Sequence, residues 1–97
     1  MYAHQTESLC DVKEYLKTSL TPTDSAMPRN ESGWIQTHGF RRGFCIHSVF
    51  KNGDNEYMFK VYDGDGDPVD MGTYNDWDAM ILGVAVKYCN AWHIPVV

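Results

Sequence analysis

The apolar residues recur at three- and four-residue intervals up to Leu20, begin to alternate from Gly33, and past Asn75 return to the helical interval. Alternation sustained over that length demands several strands with one buried face, and the flanking segments then have to supply the helices that cover it. The chain is thereby confined to a helix, a run of strands and a second helix.

The first helical segment carries Leu9, Val12, Leu16 and Leu20 on one face, with Lys13, Glu14 and Lys17 opposite. Ser8 followed three residues on by Asp11 is a capping-box pattern. Thr21-Pro22 ends the helix, because proline disfavours helical backbone at the residue before it. The pattern predicts a helix over 7–20 and, where two prolines and no periodicity follow, a surface loop over 21–32.

Alternation then predicts strands over 33–40, 43–51, 56–63 and 67–74, joined as a meander. Arg41-Arg42 is read as closing the first hairpin, Asn52-Gly53-Asp54-Asn55 the second, and Gly64-Asp65-Gly66 the third, with its last glycine left-handed. If Lys51 faces Glu56, then Phe44, Ile46, Phe50, Val69 and Met71 share a face with Tyr57, Phe59 and Val61, and that face is the expected core. The same register places Trp34, Val49, Met58 and Tyr62 on the outer face among Gln36, His38, His47 and Lys60. An outer face so rich in apolar groups reads as a protein contact, since a flat meander lacks the concavity of a small-molecule pocket.

Asn75 is the expected cap of a second helix over 76–91, with Asp76 and Asp78 in its first turn, where the helix dipole favours negative charge. Trp77, Met80, Ile81, Val84, Tyr88 and Trp92 form its apolar stripe. The expected architecture is two-layer α+β: a four-stranded antiparallel meander with an N-terminal and a C-terminal helix on one face. At 97 residues, 43% of them hydrophobic, the chain reads as a single domain over 1–97.

Charge narrows the function. The net charge of −5 opposes sequence-independent nucleic-acid binding, which draws its affinity from neutralising phosphates. The excess is localised, because residues 52–78 hold eight carboxylates against one lysine, a net −7. Three cysteines, Cys10, Cys45 and Cys89, form no close pair and no leader is legible, so a reducing cytoplasm is the expected location. The apolar stretch over 79–86 is broken by Gly83 and falls far short of the roughly 20 residues that span a bilayer, so no membrane is expected.

No catalytic, metal or cofactor constellation is complete. Asp63, Asp65, Asp67 and Asp70 have the spacing of a calcium loop, but Pro68 stands where its turn glycine belongs and Tyr74 where its bidentate glutamate belongs. Cys45 with His47, and Cys89 with His93, could each chelate zinc, but the strand pair is expected on the outer face, away from the second helix. Cys45 beside His47 lacks the orienting group that a thiolate nucleophile needs. The element order resembles a double-stranded RNA-binding domain, a divergent form of which is an alternative reading. Its second helix would have to open on basic residues, and here it opens Asn75-Asp76-Trp77-Asp78 with only Lys87 behind. No enzyme is expected.

The partner-binding residues expected are therefore Asp63, Asp65, Asp67, Pro68, Asp70, Asp76 and Asp78 along an acidic edge, with Trp34, Met58 and Tyr62 on the outer face. Pro68 cannot donate to a sheet ladder and marks the last strand as an edge. A small acidic α+β chain of this kind resembles the inhibitors that bacteriophages direct against host nucleases and defence complexes. Within that group it is similar to the anti-RecBCD proteins of Salmonella lambdoid phages, the Abc type, in length and in the acidic turn Gly64-Asp65-Gly66-Asp67-Pro68. The resemblance implies binding to the RecBCD helicase-nuclease, mainly through RecC, and a changed response to Chi that favours phage recombination. It also implies a host prolyl isomerase as a second partner at Asp67-Pro68, and no direct contact with nucleic acid. An anti-CRISPR protein whose carboxylates mimic DNA phosphates is the alternative within the same class.

Overall fold

The computed structural model describes residues 8–23 and 30–96. Helix α1 spans Leu9–Ser19, and its N-terminus is closed by the expected capping box. The Ser8 hydroxyl accepts from the Asp11 backbone N–H, and the Asp11 carboxylate accepts from the Ser8 backbone N–H at 3.0 Å. Among the described residues six strands follow: β1 (Thr21–Pro22), β2 (Asn30–Glu31), β3 (Trp34–Arg42), β4 (Cys45–Lys51), β5 (Tyr57–Tyr62) and β6 (Pro68–Tyr74), and then helix α2 (Trp77–Ala91). The four long strands form an antiparallel meander in the order β3-β4-β5-β6, and the two-residue strands β1 and β2 both pair with β3. The α+β class and the meander are thus as the sequence predicts. Of the expected loop over 21–32, Thr21–Pro22 and Asn30–Glu31 instead form these two short edge pairings, and residues 24–29 lie outside the described residues.

Two further differences reset which side chains meet. The first long hairpin turns at Gly43-Phe44, not at Arg41-Arg42, and Arg42 pairs with Cys45 across it. Gly43 has φ +61 and Phe44 is not left-handed, the arrangement of a two-residue loop with glycine at its first central position. The second hairpin places Lys51 opposite Tyr57, not Glu56. Asn52 causes this shift: its Oδ1 accepts from the N–H groups of Asp54 and Glu56 at 2.9 and 3.0 Å, drawing Glu56 into the turn. A one-residue slip moves every side chain of one strand to the opposite face relative to its neighbour.

The core therefore differs from the one expected. His47 and Val49 of β4, not Ile46 and Phe50, share the helix-covered face with Phe59 and Val61 of β5. Against them pack Val12, Leu16 and Leu20 from the α1 segment and Met80, Ile81, Val84, Ala85 and Cys89 from α2. Phe44, Ile46, Val69 and Met71, all expected in the core, are exposed. Bulges at Gln36/His38 and at Val61/Tyr62 shift the pairing of β3 and β6 as well. The cap of α2 is Asp76, one residue after the expected Asn75, and its carboxylate accepts from the Ala79 N–H at 2.7 Å.

Tyr74 joins the edge strand to the helix. A Cβ built on Gly83 of α2 would lie 2.5 Å from Cε2 of the Tyr74 ring, and one on Gly72 would lie 2.7 Å from its hydroxyl. The ring occupies the space two missing side chains leave, which accounts for a glycine in the middle of α2 despite its cost there of about 1 kcal/mol. Among the described residues no helix is long and apolar enough to cross a membrane.

Candidate functional site

The acidic stretch resolves into carboxylates that hold the fold and carboxylates that do not. Asp63 organises the β5–β6 turn: its Oδ1 accepts from the N–H groups of Asp65 and Asp67 at 2.9 and 3.0 Å. Its own N–H donates to the Asp67 carbonyl, and Gly66, at φ +86, donates to the Asp63 carbonyl. That is the three-residue loop with a left-handed last glycine that the sequence predicts. Asp70 accepts from the Met71 N–H at 2.9 Å and from Lys87 Nζ of α2 at 3.4 Å. Asp76 caps α2, and Asp78 lies in its first turn. Asp65 and Asp67 are exposed, and it is the backbone of these two residues, not their carboxylates, that Asp63 binds. Pro68 is exposed at the start of β6, the last strand of the sheet, so its expected edge position is correct, and the Asp67–Pro68 bond is trans.

The outer-face residues are placed otherwise than expected. Met58 and Tyr62 do lie on the face away from the helices, but they are 7% and 6% exposed, and neighbouring Phe50 and Ser48 are buried as well. Trp34 is half-buried. His38, His47 and Val49, expected outside, face the helices. The middle of the outer face is thus not an open patch.

Exposed apolar side chains lie at one end of that face instead. Phe44, at the tip of the β3–β4 hairpin, is 85% exposed. A Cβ on Gly64 would lie 3.6 Å from Cβ of Phe44, so the tip of this hairpin abuts the acidic turn. Ile46 pairs with Tyr62, which pairs with Pro68, and Met71 pairs with Lys60, so Ile46 and Met71 flank the same end of the sheet. Val69 is the extra residue of the β6 bulge and is exposed beside them. Sequence alternation hid this corner, because the same residues in the slipped register are core. The legible signal was Gly43, which suits a hairpin turn better than the arginines before it.

A second cluster, between the helices and the β3–β4 end, is structural. His47, 5% exposed, stacks on Phe40 with ring centroids 4.4 Å apart, and its Nδ1 lies 2.5 Å from the Tyr88 hydroxyl. Burial, reinforced by the positive charge of Arg42, lowers the His47 pKa to about 4, so the ring is neutral near pH 7. Arg42 lies over Trp92 at 3.8 Å and over Tyr15 at 5.7 Å, tying the hairpin to both helices. Cys45 and His47 face inward, not outward as expected, and Cys89 is buried in the same core. Even so, among the described residues no group of three His, Cys, Asp or Glu side chains is placed to hold a metal ion. Compared with protein-family models, curated proteins and solved structures, the chain matches none.

Proposed function

We propose that the chain is a non-catalytic protein that binds and modulates a host DNA-processing complex in the bacterial cytoplasm. RecBCD, engaged mainly through RecC so that its response to Chi changes and phage recombination is favoured, is the partner to test first. One observation carries the reading: Asp65 and Asp67 are exposed on a turn already fixed by Asp63, and Gly64 of that turn lies against the exposed Phe44. Carboxylates set around apolar groups suit a basic protein surface, including one that ordinarily holds nucleic acid. Pro68, exposed next to them, is the proposed contact for a host prolyl isomerase.

The test is binding of the purified chain to RecBCD at low and at high salt, alongside gel shifts with duplex DNA and RNA. Salt-sensitive binding to the complex, reduced by Asp65→Asn/Asp67→Asn, is the expected result. Tight binding of the isolated chain to nucleic acid, or no binding to the complex at low salt, would overturn the proposal. Capture of a CRISPR effector in place of RecBCD would select the DNA-mimic reading.

A further inference from the structure

The two edges of the sheet are closed in different ways. On one side β3 is covered toward both ends by the short strands β1 and β2. On the other, β6 has β5 as its single strand neighbour among the described residues, and it exposes Val69 and Met71, each at 57%. A seven-residue edge carrying apolar side chains in water is a template for a further strand unless its backbone groups are denied to it. Alternation decides which of those groups point outward. The Asp63 N–H donates to the Asp67 carbonyl, and at the other end of β5 the Asn52 N–H donates to the Glu56 carbonyl across the turn from β4. Tyr57, Phe59 and Val61 therefore bond toward β6, and their partners Tyr74, Gly72 and Asp70 bond back toward β5. The main-chain groups of Pro68, Met71 and Thr73 are left facing the open side.

Two of these three positions offer no donor. Pro68 has no N–H, and the Met71 N–H is engaged by Asp70 Oδ1 at 2.9 Å. The same oxygen accepts from Lys87 Nζ of α2 at 3.4 Å, which holds the carboxylate against its own strand. We infer that Asp70 is a guard of the β6 edge. Its carboxylate occupies the Met71 N–H and, together with Pro68, denies an incoming strand the donors it would pair with, above all the β6 of a second copy. Asp70 thereby has a task separate from the partner contact expected of it from sequence, and the guard acts whichever partner the chain engages.

The test is the oligomeric state of the full chain, by sedimentation at rising concentration, in the parent, Asp70→Asn and Asp70→Val. Asparagine keeps an oxygen that can accept from the Met71 N–H and loses the charge, whereas valine keeps bulk and loses the acceptor. The parent and Asp70→Asn are expected to stay monomeric and Asp70→Val to shift to a dimer or larger, with amide exchange slowing at Thr73 as it associates. Adding Thr73→Pro costs no bond to β5, because that N–H points outward, and should return Asp70→Val to the monomer. In the parent itself, the Met71 amide should exchange several-fold more slowly than the Thr73 amide once each is corrected for its intrinsic rate. Self-association of the parent through β6, a folded Asp70→Val that stays monomeric, or association of Asp70→Asn equal to that of the valine variant would overturn the inference. So would association that survives Thr73→Pro, since the apolar valine and not the opened edge would then drive it. Should Asp70→Val fail to fold, equal exchange of the two amides in the parent would overturn it alone.

Discussion

The hydroxyl of Tyr88 and Nδ1 of His47 lie 2.5 Å apart across the contact between α2 and β4, where Phe40 stacks on the same imidazole. Burial raises the Tyr88 pKa above that of a free tyrosine, against the pull of Arg42, so this is a bond between two neutral groups at ordinary pH. The unfolded chain takes a proton on His47 near pH 6.5 but the folded chain only near pH 4. Stability is therefore fully present above pH 6.5 and falls as pH drops toward 4, by roughly 3 kcal/mol if the whole difference is expressed. His38, whose pKa is also lowered by burial, acts in the same direction. Urea denaturation across that range is expected to show a shallower acid loss in His47→Gln than in the parent chain. Parallel curves would show that His47 is not held neutral by the fold.

Gly83→Ala should destabilise the protein, although alanine at an ordinary helix position gains about 1 kcal/mol over glycine. The new methyl would enter the space of the Tyr74 ring, and overpacking of this kind costs about 1–3 kcal/mol. In a Tyr74→Ala background the same substitution should become stabilising. A double-mutant cycle by thermal or urea denaturation reads the change of sign.

Carboxylates of the β5–β6 turn should separate into two classes. Asp63→Ala removes the acceptor for two backbone N–H groups and is expected to cost about 1–2 kcal/mol. Asp65→Asn and Asp67→Asn alter only exposed charge, so each should change stability by less than about 0.5 kcal/mol while weakening partner binding. Equal stability losses at all three positions would contradict the distinction.

Asn52→Ala tests what fixes the β4–β5 register. The side chain accepts from Asp54 and Glu56 and donates from Nδ2 to Glu56 Oε1 at 2.9 Å. A loss of about 1–2 kcal/mol is expected, and cross-strand NOEs between Lys51 and Tyr57 should weaken. Asn52→Asp keeps the two accepted bonds but sets a charge against Glu56, so it should fall between the alanine variant and the parent.

What could be read from sequence was what local periodicity controls. Both helices, the capping box at Ser8, the meander and the glycine of the third turn are set by residues close together in the chain. The register was not legible, because it depends on whether Asn52 turns back onto Glu56 and on bulges that exist only once strands pair. Alternating sequences are ambiguous by one residue, and that ambiguity exchanges inside for outside. Hence His47 and Val49, expected on the outer face, are buried against the helices, while Phe44 and Met71, expected in the core, meet solvent. The acidic turn survived the slip, since Asp63, Asp65 and Asp67 lie in a loop whose geometry is local.

The wedge of Tyr74 between Gly72 and Gly83 bears on how the acidic corner meets another molecule. An edge strand held on one side only is ordinarily the first part of a sheet to fray. Here the ring locks β6 to α2, and the Lys87–Asp70 pair fastens the same strand one turn further along the helix. The turn bearing Asp65 and Asp67 thus hangs from a strand clamped at two points, with its own backbone held by Asp63. A binding partner would meet charges already in position, and little of the association energy would be lost to ordering this side of the contact.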